Sequence, residues 1–216
     1  MEIIHSFIDI FLHLDKHLND ILSEYGTLTY AILFFIIFVE TGFIVMPLLP
    51  GDSLLFAAGA LAAATGKLDI MILIPLLIGA ALLGDNVNYF VGKFLGSKIK
   101  SRERILFFKR DYIYQTEAFY NKHGGKTVIM ARFIPIVRTI APFVAGAGSM
   151  EYRRYILFCI TGAILWVGGL TVIGYLFGNI EFVKKNFEIV ILGIIFVSVL
   201  PIIWQVVKTK ISPSNS

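Results

Sequence analysis

Two stretches of this chain, residues 155–180 and 189–207, are almost entirely apolar and contain no charged residue. A helix needs about 20 such residues to cross the hydrocarbon core of a bilayer, and both stretches have about that length. The composition agrees, because 57% of the 216 residues are hydrophobic and only 16% are charged. Together these features exclude a soluble globular domain and predict an integral membrane protein.

Two further stretches have the length of membrane helices, and each carries one acidic residue. Residues 28–46 contain Glu40, and residues 70–92 contain Asp85. With the two uncharged stretches they predict an all-α fold with about four transmembrane helices.

Two other apolar stretches, 42–66 and 127–148, are interrupted near their centres by proline, glycine or charge. A backbone inside lipid cannot leave polar groups unpaired, so such interruptions occur where protein or enclosed water satisfies them. Both stretches are therefore predicted to be re-entrant hairpins, which enter and leave the membrane on the same side. The interrupting residues are Pro47, Pro50, Gly51, Pro135, Arg138 and Pro142.

The two predicted hairpins also resemble each other in sequence. Residues 56–60 read FAAGA and residues 143–147 read FVAGA, while YFVG at 89–92 resembles YLFG at 175–178. The two spacings, 87 and 86 residues, predict a duplicated unit of one hairpin and one helix. Opposed hairpins in an inverted repeat are the arrangement of several secondary transporters.

Lysine and arginine are concentrated in residues 93–126, which hold nine of them against three acids. The positive-inside rule assigns this segment to the cytoplasm, and the other loops then bring the count to fourteen basic residues inside against three outside. This count predicts that both termini lie inside and that the hairpins enter from opposite faces. Amphipathic helices on the membrane surface are predicted for residues 1–26 and within the basic segment, ending near Gly124.

The chain is predicted to form one membrane domain over residues 1–216. Its parts are an amphipathic helix (1–26), a helix with a re-entrant hairpin and a second helix (28–92), a basic cytoplasmic loop (93–126), a second hairpin and helix (127–180) and a last helix (187–207).

Four ionisable residues lie at predicted membrane depth: Glu40, Asp52, Arg132 and Arg138. Each costs roughly 2.5–3.5 kcal/mol at the centre of a membrane helix, so their presence needs a compensating role. One interpretation is structural, with two buried ion pairs that join the hairpins. The other is functional: a polar cavity in which the two guanidinium groups bind a phosphate while Glu40 and Asp52 exchange protons.

Asp85, Asn88 and Tyr89 form a second group of candidates. Asp85 lies near the predicted cytoplasmic end of its helix, where it either makes structural hydrogen bonds or takes part in gating. The single cysteine, Cys159, is interpreted as a packing residue. No histidine or cysteine has partners at metal-ligand spacing, so neither a metal nor another cofactor is predicted.

Five segments closely resemble the DedA family of bacterial inner-membrane proteins, which is related to the eukaryotic VTT-domain lipid scramblases. The resemblance extends over nearly the whole chain. It implies that Glu40, Asp52, Arg132 and Arg138 are functional, because they occupy the charged positions of the family's motifs. The segments read ETG (40–42), PLLPGDSLLF (47–56), GDNVNYFVG (84–92), KHGGKTVIMARFIPIVRTIAPFVAGAGSM (122–150) and WVGGLTVIGYLFG (166–178).

For function, the resemblance implies a flippase that returns undecaprenyl phosphate across the cytoplasmic membrane for cell-wall synthesis, linked to the proton motive force and to cell-envelope integrity. The expected partners are this anionic lipid, protons and the bilayer, without nucleic acid; association with a second copy is left open. Carrying one negative charge inward costs about 2.3 kcal/mol per 100 mV, which a co-transported proton would cancel.

Other classes of function remain open. A proton-coupled exporter of cations or drugs would use the same acids, but it gives the paired arginines no task, and a phospholipid scramblase would accept a broader set of lipids. A membrane enzyme is not expected, because the sequence contains no GxSxG or HExxH motif. A purely structural protein would tolerate Arg138→Lys better than a bidentate phosphate site would.

Overall fold

The structure, a computed structural model, describes residues 14–43, 51–100, 104–105, 108–109, 126–148 and 150–181, together with 183, 186, 189–190 and 192–194. The break in the first predicted hairpin (44–50), most of the basic segment and most of the last predicted helix lie outside the described residues, as do both termini.

The described residues form helices, apart from one antiparallel pair of two-residue strands, β1 (Arg104–Ile105) and β2 (Phe108–Lys109). A π-helical segment, Ile164–Gly168, joins the last two helices without a break. The helices are α1 (Leu14–Tyr25), α2 (Leu28–Gly42), α3 (Gly51–Thr65), α4 (Ile70–Lys100), α5 (Lys126–Ala131), α6 (Pro135–Ala147), α7 (Tyr152–Ala163) and α8 (Gly169–Phe177).

Within the described part of the chain, two continuous helical stretches are long and apolar enough to cross a membrane, Ile70–Gly96 and Tyr152–Phe177. They overlap the predicted spans 70–92 and 155–180, and the chain is an all-α membrane protein. Helix α4 continues to Lys100, so the first eight residues of the predicted basic loop are helical. Residues 93–100 contain no proline and mostly helix-forming side chains, which lets the helix extend beyond the apolar span.

The second interrupted stretch bends where the prolines predict. Helix α5 ends at Ala131 and α6 begins at Pro135, whose fixed φ and missing N–H suit the first turn of a helix. The prediction that residues 1–26 lie on the membrane through their apolar face needs correction for α1. Leu18 and Leu22 of that face are buried in the protein core, because α1 packs against α3.

Helices α3 and α8 touch backbone to backbone through two glycines. A Cβ on Gly59 would lie 2.1 Å from the carbonyl oxygen of Thr171, and a Cβ on Gly174 would lie 2.1 Å from that of Phe56. Small residues permit this close approach, which supplies packing energy where lipid removes the hydrophobic driving force between helices.

Helices α6 and α4 repeat the same contact. A Cβ on Gly146 would lie 2.0 Å from the carbonyl oxygen of Tyr89, and one on Gly92 would lie 2.0 Å from that of Phe143. The short helix of each sequence repeat thus packs against the long helix of the other, and the two halves of the described structure interlock.

The paired contacts correct the predicted alignment of the long helices. The short helices correspond at the predicted spacing of 87 residues, but GKFLG at 92–96 corresponds to GYLFG at 174–178, a spacing of 82 rather than 86. The difference of four residues is about one helical turn. Tyr89 is buried whereas Tyr175 is 38% exposed, so the matching tyrosines do not occupy equivalent positions. The alignment of the two long helices therefore follows the glycines on their contact faces rather than the tyrosines.

Candidate functional site

Arg138 joins three helices through two ion pairs. Its Nη2 donates to Oε1 of Glu40 in the last turn of α2, and its Nη1 donates to Oδ1 of Asp52 in the first turn of α3. Glu40 is fully buried and Arg138 is 7% exposed, whereas the Asp52 side chain is 16% exposed. A Cβ on Gly51 would lie 1.9 Å from Oε2 of Glu40, so a side chain at this position would displace the carboxylate.

Arg132, in the turn between α5 and α6, forms a second buried ion pair. Its Nη1 donates to Oδ2 of Asp85 on α4 at 2.5 Å. The thiol of Cys159 donates to the same oxygen at 3.1 Å, and the hydroxyl of Tyr155 donates to the backbone carbonyl of Asp85 at 3.1 Å. Two residues of α7 therefore contact Asp85: Cys159 contacts its carboxylate and Tyr155 contacts its backbone carbonyl.

Trp166 connects the two ion-pair groups. Its Nε1 donates to Oδ1 of Asp52 at 2.7 Å, and its ring lies 4.6 Å from Cζ of Arg138 and 5.3 Å from Cζ of Arg132. Both distances permit cation–π attraction, which is strongest with tryptophan. Trp166 lies in the π-helical segment, a local irregularity frequently found at functional sites. We call Glu40, Asp52, Asp85, Arg132, Arg138 and Trp166 the charge cluster.

Three donors of the charge cluster are buried without a hydrogen-bond partner among the described residues: Nε and Nη2 of Arg132, and Nε of Arg138. A buried donor without a partner costs about 1–3 kcal/mol. Nε and Nη2 form the side edge of a guanidinium, which binds carboxylate or phosphate through two parallel hydrogen bonds. The two unpartnered donors of Arg132 therefore have the arrangement that binds two oxygens of one anion.

The four residues predicted from their membrane depth lie in one cluster. The structural interpretation expected two ion pairs among them, but Arg138 pairs with both acids and Arg132 pairs with Asp85 instead. Their role in substrate binding stays a prediction. Asp85, placed second in the sequence analysis, belongs to the cluster as the direct partner of Arg132.

The other two secondary candidates make structural contacts. Asn88 donates to the backbone carbonyls of Thr41 and Thr139, which links α2, α4 and α6. Tyr89 donates to the carbonyl of Met150 and stacks on Tyr155 with ring centroids 4.4 Å apart.

Sequence reasoning missed Trp166 and assigned Cys159 to packing alone. A tryptophan within an uncharged membrane span carries an N–H that needs a partner when buried, and this was the available signal for Trp166. No sequence signal identifies Cys159, because its contact with Asp85 depends on how α7 packs against α4.

These features define an all-α membrane protein with a buried cluster of opposite charges at the meeting point of its helices. The VTT domain matches residues 49–176. The chain belongs to the DedA family of VTT-domain membrane proteins.

Relatives resemble the chain over most of their length. It is 49% identical over 211 residues to Protein DedA of Escherichia coli (strain K12), covering 97% of this chain and 96% of that protein. It is 49% identical over 166 residues to an uncharacterized membrane protein of Mycobacterium leprae (strain TN), covering 77% and 74%. Inner membrane protein YghB of Escherichia coli (strain K12) is 33% identical over 176 residues, covering 82% and 78%. No solved structure matches the chain.

Proposed function

We propose that the chain translocates undecaprenyl phosphate across the bacterial inner membrane, with the phosphate bound at the charge cluster and its movement coupled to protons. The family resemblance suggests the lipid, and the chemistry of the cluster suggests how its head group is held. In this proposal the protein is a carrier rather than an enzyme, and both termini are cytoplasmic.

The unpartnered side edge of Arg132 is the observation that carries the proposal. A phosphate monoester offers two oxygens to Nε and Nη2, and a third to Nε of Arg138. An exported cation would leave these buried donors unpaired, because it offers them no acceptor. The cluster therefore supports an anionic substrate over a cation or drug.

The balance of charge supports coupling to protons. Two guanidinium groups face the carboxyl groups of Glu40, Asp52 and Asp85, so the cluster is negative overall when all three are ionised. An arriving phosphate would then be repelled. Protonation of Glu40 or Asp52 removes one negative charge and frees an N–H of Arg138 for the phosphate. Release of the proton on the other side would restore the ion pair and expel the head group.

The lengths of α3 and α6 support re-entrant hairpins. They contain 15 and 13 residues, or roughly 22 and 20 Å, whereas the hydrocarbon core is about 30 Å thick. Asp52 and Arg138 both lie in the first turns of these helices. If the hairpins enter from opposite faces, between about four transmembrane helices, the two helix N-termini meet near the midplane, where their partial positive charge favours an anion.

The direct test measures how fast the Arg132→Lys variant translocates labelled undecaprenyl phosphate in proteoliposomes. Lysine keeps the charge but cannot form the two parallel bonds, so we expect a loss of about 10- to 100-fold, equivalent to one charge-assisted hydrogen bond of roughly 1.5–3 kcal/mol. Arg153→Lys, at an exposed position on α7, is the matched control. Transport by a folded Arg132→Lys variant at the wild-type rate would contradict the proposal.

A second arm tests the proton. Glu40→Gln cannot take up and release a proton, so its remaining transport should not respond to an imposed pH gradient. Full activity that still follows the gradient would remove Glu40 from the mechanism. If unlabelled phosphatidate competes with labelled undecaprenyl phosphate as strongly as unlabelled undecaprenyl phosphate does, the protein would instead be a scramblase of broader lipid range.

A further inference from the structure

An apolar cavity lies directly against the charge cluster. It has a volume of about 650 Å³. Its walls come from the π-helical segment and α8, together with Phe133, Val190, Gly193 and Ile194. Asp52 and Trp166 are its polar wall. The rest of the lining consists of leucine, isoleucine, valine and phenylalanine side chains and two glycines, Gly169 and Gly193.

We propose that this cavity binds the part of the hydrocarbon chain that adjoins the head group of a phosphate-bearing lipid. The inference rests on the proposed function and adds where the chain lies while the phosphate is at the arginines. The cavity and the charge cluster share two residues. Oδ1 of Asp52 accepts hydrogen bonds from both Arg138 and Trp166, so a chain in the cavity begins beside the guanidinium that the head group needs.

The lining suits hydrocarbon better than water. An ordered water needs two to four polar partners, and apart from Asp52 and Trp166 the lining supplies only apolar side chains and glycine. Asp52 is also the most exposed carboxylate of the ion pairs, because it borders this space. The anionic head and the apolar chain of one molecule would therefore meet surfaces of matching chemistry on the two sides of Asp52 and Trp166.

The two glycines of the lining differ from those at the helix contacts. A Cβ on Gly59 or Gly174 would collide with a neighbouring backbone, so packing explains glycine at those positions. A Cβ on Gly169 or Gly193 meets no described atom within 4 Å. Glycine weakens a helix relative to alanine, and no close contact with described residues requires it at these two positions. Their lack of side chains keeps the cavity wide.

Filling the cavity gives a selective test. Gly169→Leu adds a side chain at the cavity wall, where a Cβ meets no described atom within 4 Å. Gly79→Leu is the matched control, since a Cβ there also meets no described atom and the residue does not line the cavity. The leucine should displace about two methylene groups of the lipid's hydrocarbon chain from the cavity. Transport of undecaprenyl phosphate by Gly169→Leu should then fall about tenfold. Transport by Gly79→Leu stays at the wild-type level.

A spectroscopic readout locates the chain directly. The sequence has two tryptophans, so Trp204→Phe leaves Trp166 as the sole indole emitter. Phosphatidate with a nitroxide at carbon 5 of one acyl chain should quench Trp166 more than phosphatidylcholine with the same label, and Gly169→Leu should abolish the difference. Competition by undecaprenyl phosphate tests whether both lipids use the same space.

The outcomes separate the two proposals. Equal quenching by the two labelled lipids, or quenching that Gly169→Leu does not change, would overturn the chain site even if undecaprenyl phosphate is transported. Selective quenching lost in Gly169→Leu, without any transport of undecaprenyl phosphate, would keep the chain site and refute the proposed function.

Discussion

Asp85→Asn should strongly destabilise the protein, because it removes the charge partner of a buried arginine. The substitution preserves the size of the side chain but removes the negative charge that faces Arg132. Asp85 is 2% exposed and Arg132 is 5% exposed, so neither group is well solvated. The guanidinium of Arg132 would then remain buried without a counter-ion.

The expected magnitude follows from the contacts of Asp85. A pair of opposite charges about 4 Å apart contributes roughly 4 kcal/mol at an effective dielectric constant of 20. Removing one partner of a buried ion pair typically costs about 3–5 kcal/mol, because the other charge is left uncompensated. We therefore expect Asp85→Asn to lower the free energy of unfolding by about 3–5 kcal/mol.

The double variant Asp85→Asn/Arg132→Gln isolates the pair. It removes the stranded charge together with its partner, so it should be more stable than Asp85→Asn alone, and the coupling energy should fall in the range of about 0.5–3 kcal/mol measured for interacting residues. Unfolding in mixed detergent micelles, followed by circular dichroism, measures all four proteins of the cycle. Asp20→Asn, at an exposed position on α1, is the control and should stay within about 0.5 kcal/mol of wild type.

Two results would refute this reasoning. A folded Asp85→Asn variant as stable as wild type would mean that the ion pair contributes nothing. Strict additivity in the cycle would mean that Asp85 and Arg132 act on stability independently, despite the 2.5 Å contact between them.

Two further predictions concern Trp166 and the glycine contacts. Trp166→Phe keeps an aromatic face for the guanidinium groups but loses the hydrogen bond to Asp52, so we expect the free energy of unfolding to fall by about 1.5–3 kcal/mol. Thermal unfolding measures this loss, and a variant as stable as wild type would show that the hydrogen bond does not contribute. Gly146→Ala forces α6 away from the carbonyl of Tyr89 and should lower the free energy of unfolding by about 1–3 kcal/mol, whereas Gly79→Ala should be neutral or stabilising. Equal stability of the two variants would exclude the close backbone contact between α6 and α4.

The register of the repeat illustrates how far sequence patterns reach. Matching FAAGA with FVAGA identified helices that make equivalent contacts, because the small residues of these motifs are themselves the contact surface. Matching Tyr89 with Tyr175 placed the long helices one turn out of register. That tyrosine is buried against Tyr155 in one half and exposed in the other, and side chains without equivalent neighbours carry no information about register.

The sequence by itself determined the membrane class and the ionisable residues at membrane depth, because both follow from local properties: the length of apolar stretches and the cost of burying charge. Only the tertiary structure decided which acid pairs with which arginine. Asp85 lies 47 residues from Arg132, and Glu40 lies 98 residues from Arg138, so these pairs form only when distant helices pack. The same holds for Trp166, whose contact with both arginines depends on the path of the π-helical segment through the cluster.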